Sequence, residues 1–479
     1  MRVLITGATG FVGRALALRL QRDAATVVAW VRAPERARSQ LGPDVELVPS
    51  AGDTAALRRA VDGCDAVVHL AGAPVLPRRW TAARKLELRG SRIDLAAALV
   101  DAMAAAERRP RVLISASAIG FYGDRGDEPL DERASRGDGF LAELCRDWET
   151  AASRATDLGA RVVLLRTGVV LGLDGGALVS MLPPFRMGTG GRLGSGRQHM
   201  PWIHVEDWVR LVLTALDDER YRGPFNATAP GPPSNREYTA ALAGVLGKPA
   251  FMPVPALALR ALFGGAASIL LESQRAVPER LQEMGFEHVH STLEGALQDL
   301  LVHERPSIER VSAAQLPQAP GAKGATHRLS SVTELGVPLE EAFAFFSTPD
   351  NLGLLTPKSV GFHIVERSGP PAEGATLDYR IRVGPVPMKW RSRFEAWEAP
   401  LRFADVQERG PYRVWWHEHR FEDHGATTRM LDTVFYRPPL GPLGTLANRL
   451  FISDQLGDIF RQRALAVRLR FGGSRSSLG

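Results

Sequence analysis

The feature that most constrains this chain is a glycine-rich segment at residues 3–13, VLITGATGFVG, at its N-terminal end. β-Branched residues precede the glycines, and a helical pattern follows at residues 14–20. Gly7 permits a tight turn after a strand, Gly10 lets the backbone approach a pyrophosphate, and Gly13 lets the helix pack on a sheet. N–H groups at the start of that helix attract phosphates. The segment predicts a dinucleotide site, and a surface turn without a ligand is the alternative.

The N-terminal half of the chain alternates apolar runs with Ala-rich helical stretches. Runs that are apolar throughout are typical of parallel strands buried on both faces. Right-handed crossovers between such strands give an α/β fold, a Rossmann-like doubly wound parallel sheet that binds its ligand at the carboxyl ends of the strands. The predicted strands after the first are residues 26–31, 45–48, 66–70, 111–115 and 161–165.

The end of the second predicted strand indicates which dinucleotide binds. An acidic side chain there would accept a hydrogen bond from a ribose 2′-OH, but this chain has Arg32, followed by Arg36 and Arg38. Guanidinium groups suit a 2′-phosphate. We therefore expect NADP rather than NAD, the alternative being that the arginines only solvate a loop. From this part of the chain, the residues expected to hold the cofactor are Gly7, Thr9, Gly10, Phe11, Val12, Gly13 and Arg32.

Composition narrows the classes of function. At 479 residues the chain predicts about two to four domains. Its net charge of +6 comes without a Lys/Arg block or a basic stripe with interleaved aromatics, so nucleic acid is not an expected partner. Cys64 and Cys145 cannot form a disulfide framework or a metal site, and no signal peptide or apolar stretch of about 18 residues is present. We expect a cytoplasmic protein without stable membrane insertion.

The texture of the sequence changes after residues 312–325, which are rich in Ala, Pro, Gln and Gly. Residues 253–301 before this segment are mainly helical, whereas aromatic residues on short alternating runs follow it, as in an antiparallel sheet. Residues 446–469 show an amphipathic helical pattern that is long enough to lie across such a sheet. We predict one unit at 1–303 with a helical extension at 253–303, a linker at 304–325, and an α+β unit at 326–472.

Further motifs support a family comparison. They are VVHLAG at 67–72, SASAIGFYGD at 115–124, LRTGVVLG at 165–172, WIHVED at 202–207 and GPFNATAP at 223–230. With the glycine segment, they resemble an atypical, epimerase-like branch of the extended short-chain dehydrogenase/reductase superfamily, over about residues 1–303. The resemblance implies that Leu70, Ala71, Gly72 and Ser115 also contact the cofactor, and that the substrate is a small carbonyl or alcohol.

The later segment, roughly 325–472, is similar to the helix-grip superfamily of polyketide cyclases and lipid-transfer domains, also called SRPBCC or START-like. The similarity rests on VPLEEAFAFF at 337–346, PDNL at 349–352 and the long last helix. It implies an apolar cavity for a lipid or other apolar ligand. Trp390, Phe394, Trp415 and Phe435 are expected to line a concave sheet there, and a filled core made of the same aromatics is the alternative.

The residues expected to catalyse a reaction depart from the superfamily pattern. The superfamily places a Tyr acid/base four residues before a Lys, and Leu141 and Cys145 occupy those positions here. Ser117 keeps its place, and Tyr122 is our candidate proton donor, with a packing role as the alternative. Cys145 is a candidate nucleophile, but a buried helix cysteine is more often a small hydrophobe.

Other polar groups have structural interpretations. His204 and Asp207 fit a turn that leads into a helix, and His417 and His419 share one face of a strand without an evident third metal ligand. We therefore expect no metal site. The glycines of residues 188–196 suggest a mobile lid over the substrate.

Arg89 and Arg92 stand on a helix where the superfamily commonly has an Asn. They either orient a substrate or water chain or belong to an exposed helix face.

Two functions remain open for the whole chain. The first is an NADP-dependent oxidoreductase or epimerase-like protein that acts on an unknown small carbonyl or alcohol. The second is a non-catalytic NADP(H) sensor or scaffold. In both, the C-terminal unit binds an apolar ligand.

Overall fold

The computed structural model describes residues 1–50, 54–303, 305–383, 386–439, 441, 444 and 448–472. The chain divides into two compact units. The N-terminal unit comprises Met1–Pro34 and Asp44–Leu300, and the C-terminal unit comprises Glu35–Pro43 and the chain from Leu301 onward. Among the described residues, no helix is both long enough and apolar enough to cross a membrane.

Seven parallel strands form the central sheet of the N-terminal unit, in the order β10-β7-β5-β4-β1-β2-β3. This arrangement confirms the predicted doubly wound sheet, and each predicted strand is present to within a few residues. Two small two-stranded sheets, β11-β6 and β8-β9, accompany it. The strands are β1 Arg2–Thr6, β2 Thr26–Val31, β3 Glu46–Pro49, β4 Ala66–His69, β5 Val112–Ala118, β6 Pro129–Leu130, β7 Arg161–Thr167, β8 Val169–Leu171, β9 Trp202–His204, β10 Gly223–Ala227 and β11 Arg275–Ala276.

Helices connect the strands of this unit and cover the sheet. The strand sequences are apolar throughout because both faces of the sheet are buried. For example, Val3, Leu4 and Ile5 of β1 are fully inaccessible to solvent. A π-helical turn, Gly90–Asp94, joins α4 to α5. The helices up to residue 301 are α1 Phe11–Arg22, α2 Pro34–Leu41, α3 Thr54–Val61, α4 Ala82–Arg89, α5 Leu95–Ala105, α6 Phe140–Ser153, α7 Gly176–Arg186, α8 Val205–Asp217, α9 Asn235–Leu246, α10 Ala256–Phe263, α11 Ser268–Leu271, α12 Glu279–Glu283 and α13 Leu293–Leu301. Of these, α2 belongs to the C-terminal unit from Glu35 onward.

The start of α8 fastens the helical extension to the sheet. His204 caps this helix, and its Nδ1 accepts a hydrogen bond from the N–H of Glu206 at 3.1 Å. Asp207 accepts hydrogen bonds from the N–H groups of Val289, at 2.8 Å, and His290, at 2.9 Å. His204 and Asp207 therefore have the structural role that their sequence context predicts.

Eight antiparallel strands form the sheet of the C-terminal unit, in the order β12-β13-β19-β18-β17-β16-β15-β14. The antiparallel sheet confirms the predicted α+β class. Its strands are β12 Ser307–Arg310, β13 His327–Leu335, β14 His363–Arg367, β15 Thr376–Val383, β16 Val386–Glu398, β17 Arg402–Arg409, β18 Val414–Asp423 and β19 Thr428–Arg437. Its helices are α14 Leu339–Ser347, α15 Leu352–Leu355 and α16 Ser453–Phe471.

The last helix packs on one face of this sheet. Leu456 and Phe460 of α16 form a buried cluster with Leu329, Val434 and Tyr436 of the central strands. A π-helical turn, Asn448–Ile452, precedes α16. Residues 446 and 447 of the predicted helical segment lie outside the described residues.

The opposite face of the sheet has its own apolar cover. Trp416 and Phe435 pack there with Ala322, Ala325 and Ala404. Phe435 was expected to line the cavity, and this expectation is wrong, because successive residues of a strand point to opposite faces and Tyr436 takes the helix side.

Residues predicted to be a linker contribute to this C-terminal sheet. Ser307–Arg310 pairs with β13 as the edge strand, and Ala322 lies fully buried against the outer face. Residue 304, the first of the predicted linker, lies outside the described residues. The segment from 307 onward is therefore part of the packed structure.

Candidate functional site

The glycine segment forms a cradle at the carboxyl edge of the sheet. Gly7 has a φ of +74°, and a Cβ there would lie 2.8 Å from the backbone nitrogen of Ala71. A Cβ on Gly10 would lie 2.9 Å from the carbonyl oxygen of Gly7, which accepts the Gly10 N–H at 2.7 Å. A Cβ on Gly13 would overlap that same oxygen. Only glycine fits at these positions, so the helix starts close to the strand with an open approach to its N–H groups.

The first turn of α1 is suited to an anion. Gly10 is its N-cap, the turn contains no acidic residue, and the first N–H groups of a helix have no partner within it. The ring of Phe11 faces Gly172, where an added Cβ would overlap it. Thr9, Phe11 and Val12 are all partly exposed. Their positions are compatible with the predicted contacts to a cofactor, which stay a prediction.

The loop after β4 forms the facing wall of the cradle. The hydroxyl of Thr6 pairs with Nδ1 of His69 at 2.7 Å and accepts the N–H of Ala71 at 3.3 Å. Burial lowers the pKa of His69 to about 4, so this imidazole is neutral at physiological pH. The Thr6–His69 pair holds Leu70 and Ala71 beside Gly7. Sequence analysis did not identify this pair, which forms because Thr6 and His69 end the neighbouring strands β1 and β4.

The two remaining predicted cofactor residues differ in exposure. Gly72 is exposed, whereas Ser115 on β5 is fully buried and its hydroxyl donates to the carbonyl of Ala116 at 3.1 Å. Gly72 follows the cradle wall directly, is exposed and lies beside the guanidinium of Arg92. Ser115 reaches a ligand only if its hydroxyl changes partner.

Basic side chains gather where the second strand ends. Arg32 is exposed immediately after β2. The pKa of Glu87 is lowered by a hydrogen bond from Arg84 and by the charges of Arg84, Arg78 and Arg32. Three guanidinium groups therefore act on one carboxylate, which leaves a positive surplus at this edge. Arg78 and Arg84 were not singled out from the sequence, because their approach to Arg32 depends on the fold.

A buried ion pair stands where the superfamily resemblance places the reaction centre. The carboxylate of Glu149 receives Nε and Nη2 of Arg166, both at 2.9 Å. The hydroxyl of Ser117 donates to the same carboxylate at 2.7 Å. Ser117 is only 4 % exposed, so its hydroxyl is committed to Glu149. Sequence analysis did not identify Glu149 and Arg166 as site residues, because charged residues on a helix and a strand ordinarily face solvent.

Tyr122 belongs to the same buried network. Its side chain is fully inaccessible, its OH donates to Oδ1 of Asn226 at 2.7 Å, and it accepts Nη1 of Arg166 at 3.1 Å. Burial raises the pKa of the phenol to about 12. Tyr122 ends the short turn Ile119–Tyr122 that follows β5. Its geometry favours the packing role over that of a proton donor.

Cys145 and Leu141 occupy the positions of the usual Lys and Tyr. Cys145 is 3 % exposed, and burial raises the pKa of its thiol to about 12. A thiol with this pKa is protonated near neutral pH and is a poor nucleophile. Leu141 lies against Gly120, where an added Cβ would be 3.2 Å from the Leu141 Cβ. The geometry favours an apolar, packing role for both.

Arg92 extends into the same region from the π-helical turn. Its guanidinium covers Gly72, where an added Cβ would lie 2.9 Å from Cζ, and it sits 5.4 Å from the ring centroid of Trp148. Burial lowers the pKa of Arg92, and the neighbouring Cys145 acts on it electrostatically. By contrast, Arg89 pairs with Asp147 at the surface at 2.5 Å. The two arginines, which sequence alone does not separate, thus face different surroundings.

The segment 188–196, predicted to be a mobile lid, is held by backbone hydrogen bonds. Gly194 donates to Val254 at 2.8 Å, and Met252 donates to Gly190 at 3.1 Å. A Cβ on Gly191 would overlap the carbonyl of Met252. These contacts show that the glycines let this segment pack closely against residues 252–254, which argues against a mobile lid.

The C-terminal unit contains a cavity of about 220 Å³. Its wall is mainly aromatic and aliphatic and includes Trp390, Phe394 and Trp415, as expected from their alternation. Residues of α14, α15, α16 and the four strands β15 to β18 contribute to it. The sheet is therefore not packed solid against its helices.

One wall of this cavity carries a compact polar cluster. Nε2 of His417 lies 3.1 Å, and Nδ1 of His419 lies 2.6 Å, from Oδ1 of Asp432. Nη2 of Arg463 lies 3.4 Å from the other oxygen of Asp432. Asp405 stands across from His417, with 3.9 Å between Oδ1 and Nδ1.

Burial and charge set the ionisation of this cluster. Burial lowers the pKa of His419 to about 3 and raises that of Asp405. Burial alone would raise the pKa of Asp432, but Arg463 and the two histidines hold it well below its usual range. Sequence reasoning found the two histidines and missed both aspartates, because Asp405 faces His417 and Asp432 faces His419 only once the strands are in register.

Comparisons with known proteins agree with this geometry. Residues 3–227 match the model of the NAD dependent epimerase/dehydratase family, and residues 254–300 match a domain of unknown function, DUF1731. The SDR39U1 homolog of Arabidopsis thaliana, an epimerase family protein described as chloroplastic, is 42 % identical over 304 residues, which are 63 % of this chain and 87 % of that protein. The chain belongs to the epimerase family.

Other relatives of this epimerase family protein match the same part of the chain. SDR39U1 of Bos taurus is 37 % identical over 63 % of this chain and all of that protein. The crystal structure of human SDR39U1 with NADPH aligns with a TM-score of 0.57 and 34 % identity, covering 63 % of this chain and 99 % of that one. A nucleoside-diphosphate sugar epimerase from Corynebacterium glutamicum aligns at 34 % identity and a TM-score of 0.50, over 62 % of this chain and 57 % of that one.

Proposed function

We propose that the N-terminal unit is an NADP(H)-dependent oxidoreductase or epimerase-like protein that acts on a small carbonyl or alcohol. The observation that carries this proposal is the cradle of Gly7, Gly10 and Gly13, in which an added Cβ meets backbone at every position. Binding NADPH there would place a hydride donor at the carboxyl edge of the sheet. NADPH in the related human structure adds support.

Mutation of the cradle tests this cofactor site. Gly10→Val places a branched side chain against the Gly7 carbonyl, and we expect NADPH binding measured by fluorescence titration to be lost. Gly244→Ala is a matched control, because its Cβ would meet nothing within 4 Å. Unimpaired binding by the Gly10 variant would contradict the site.

The chain's own residues supply the charge that the usual Tyr and Lys provide elsewhere. Cys145 is neutral, whereas Arg92 holds a guanidinium over Gly72 and beside Cys145. A fixed cation there stabilises negative charge that develops on a substrate oxygen. We assign this role to Arg92 and leave Tyr122 and Ser117 as residues that fix the surrounding network.

A pair of variants separates this role from a general effect of charge. Loss of one such donor typically reduces turnover about 10²- to 10³-fold, and we expect Arg92→Gln to do so in NADPH oxidation with a panel of small aldehydes and ketones. Arg89→Gln removes the neighbouring guanidinium, which is paired with Asp147 at the surface, and should leave turnover nearly unchanged. Equal effects of the two changes would exclude the assignment.

One observation favours the second function, a non-catalytic NADP(H) sensor or scaffold. The three residues predicted to catalyse, Ser117, Tyr122 and Cys145, are all less than 5 % exposed. Tight NADPH binding without turnover of any carbonyl in the panel would support this reading over catalysis.

For the C-terminal unit, the proposal is binding of a small apolar ligand, as its resemblance to helix-grip domains implies. The aromatic cavity supports it. Titration of the full chain with a fluorescent fatty acid and with a polycyclic probe tests it. Saturable uptake without NADPH is expected, and its absence for both probes would leave the unit without this role.

A further inference from the structure

The polar wall of the C-terminal cavity has the composition and orientation of a metal site. Asp405, His417 and His419 can each place one ligand atom within 4.8 Å of the other two. All three side chains line the cavity. Two imidazoles and one carboxylate suit a divalent transition metal such as Zn²⁺ or Fe²⁺ better than Ca²⁺ or Mg²⁺, which prefer oxygen ligands.

Hydrogen bonds to Asp432 determine which ring nitrogens are available. His417 directs Nε2, and His419 directs Nδ1, at the same carboxylate oxygen, at 3.1 and 2.6 Å. Nη2 of Arg463 also lies 3.3 Å from Nδ1 of His419, but the Asp432 oxygen is closer, and a nitrogen without a proton would be repelled at 2.6 Å, so Nδ1 carries the proton. A neutral imidazole that donates from one nitrogen has a lone pair on the other, so Nδ1 of His417 and Nε2 of His419 are left as acceptors. Metal-binding histidines characteristically donate their second N–H to a carboxylate in this way.

The placement of Asp405 completes the donor set. Its Oδ2 accepts the hydroxyl of Ser392 at 2.8 Å, while Oδ1 faces the acceptor nitrogen of His417 at 3.9 Å. Two acceptors at this separation repel each other unless a proton or a cation lies between them. Among the described residues, the ionic contact of Asp405 is this one with His417, whereas Asp432 is matched by Arg463.

We propose that Asp405, His417 and His419 bind a divalent transition metal ion, with Asp432 as the residue that positions both imidazoles. The three ligands come from one wall of the cavity, so the remaining coordination positions open toward the apolar space. A ligand with a polar head, such as a carbonyl, enol or carboxylate on an apolar body, fits this arrangement. The site is separate from the dinucleotide cradle and does not depend on its function.

A second His-carboxylate group, found within the part of the chain that the structure describes, does not offer the same donors. His204, Glu206, His290 and Asp299 also lie within 4.8 Å of one another in the N-terminal unit. However, Nδ1 of His204 accepts the N–H of Glu206, so Nε2 carries the proton and points to Asp299 at 3.3 Å. This nitrogen has no lone pair for a metal.

Metal titration of the full chain tests the proposal. After treatment with a chelator, the protein is titrated with Zn²⁺ by calorimetry and with Co²⁺ by visible absorption, and we expect one saturable site per chain. His417→Gln and Asp405→Asn should each weaken Zn²⁺ binding at least 100-fold. His424→Gln, which changes an exposed histidine just after β18, should bind like the unmodified protein.

Two further measurements guard against misfolded variants. Zn²⁺ should raise the thermal unfolding temperature of the unmodified chain and of His424→Gln, but not that of Asp405→Asn, whose side chain has the same shape as the original. Asp432→Asn should weaken binding about 10- to 100-fold, as removal of a supporting carboxylate does. Absence of saturable binding by the unmodified protein would overturn the proposal, and so would Zn²⁺ affinities of Asp405→Asn and His417→Gln equal to that of the unmodified protein.

Discussion

Arg32 is the residue whose predicted role is simplest to measure, because it stands exposed at the end of β2 among other guanidinium groups. A charge-assisted hydrogen bond to a 2′-phosphate contributes about 1.5–3 kcal/mol. Arg32→Ala should therefore reduce NADPH affinity about 10- to 150-fold and leave NADH affinity nearly unchanged. Isothermal titration with both dinucleotides measures this, and Arg109→Ala, an exposed arginine before β5, is the control. Equal loss for both dinucleotides would assign Arg32 another role.

Glu149 supports a second prediction at this scale. Removing one partner of a buried ion pair costs about 3–5 kcal/mol, so Glu149→Gln should lower the free energy of unfolding by this amount. Asp147→Asn, two residues earlier on α6, removes a carboxylate whose partners are surface arginines and should cost at most about 1 kcal/mol. Urea unfolding of both variants provides the comparison. Similar losses of unfolding free energy in the two variants would mean that Arg166 pairs with another group when Glu149 is replaced.

These residues also mark what the sequence reveals about the site. Gly7, Gly10 and Gly13 were recognisable because their spacing itself encodes a strand, a turn and a helix. The sequence left the role of Tyr122 open, because a tyrosine after a strand looks the same whether its hydroxyl contacts Arg166 and Asn226 or a substrate. A single sequence does not specify which of these tertiary contacts the hydroxyl makes.

At the scale of elements, successive residues of β18 have different roles because they lie on opposite faces of the sheet. Trp415 lines the cavity, and Trp416 packs with Phe435 and Ala322 on the outer face. Truncation of a buried Trp costs about 3–5 kcal/mol, so Trp416→Ala should destabilise the fold by this amount with little change in probe affinity. Trp415→Ala should instead weaken uptake of an apolar probe. Denaturant unfolding and probe titration, performed on both variants, distinguish the two faces, and reversed effects would contradict the register.

Element boundaries were more predictable in one unit than in the other. The parallel strands were located closely because burial on both faces makes them continuous apolar runs. In the antiparallel sheet, the positions of aromatics indicated strands, but the faces of Phe435 and of the aspartates depend on register, which a single sequence does not specify.

At the scale of the whole molecule, the change in sequence texture does not coincide with the edge of the packed C-terminal structure. Ser307–Arg310 is a strand of that sheet, and Val311, Leu316, Ala319 and Ala322 cover its outer face. A fragment that begins at residue 305 should therefore be more stable than one that begins at residue 325. Since burial of a Val or Leu side chain contributes about 1.5–3 kcal/mol, we expect a difference of about 3 kcal/mol or more. Thermal unfolding of the two fragments decides this, and equal stability would show that the residues before 325 are dispensable.

The buried network around Tyr122 also bears on how this chain tolerates change over generations. Ser117, Glu149, Arg166 and Asn226 come from β5, α6, β7 and β10, and each satisfies a polar group of another member. Replacing one member alone leaves a buried polar group of its neighbour without a hydrogen-bond partner, in surroundings that cannot solvate it. These positions can therefore be exchanged only in concert, and saturation mutagenesis should find them intolerant one at a time but permissive in matched pairs.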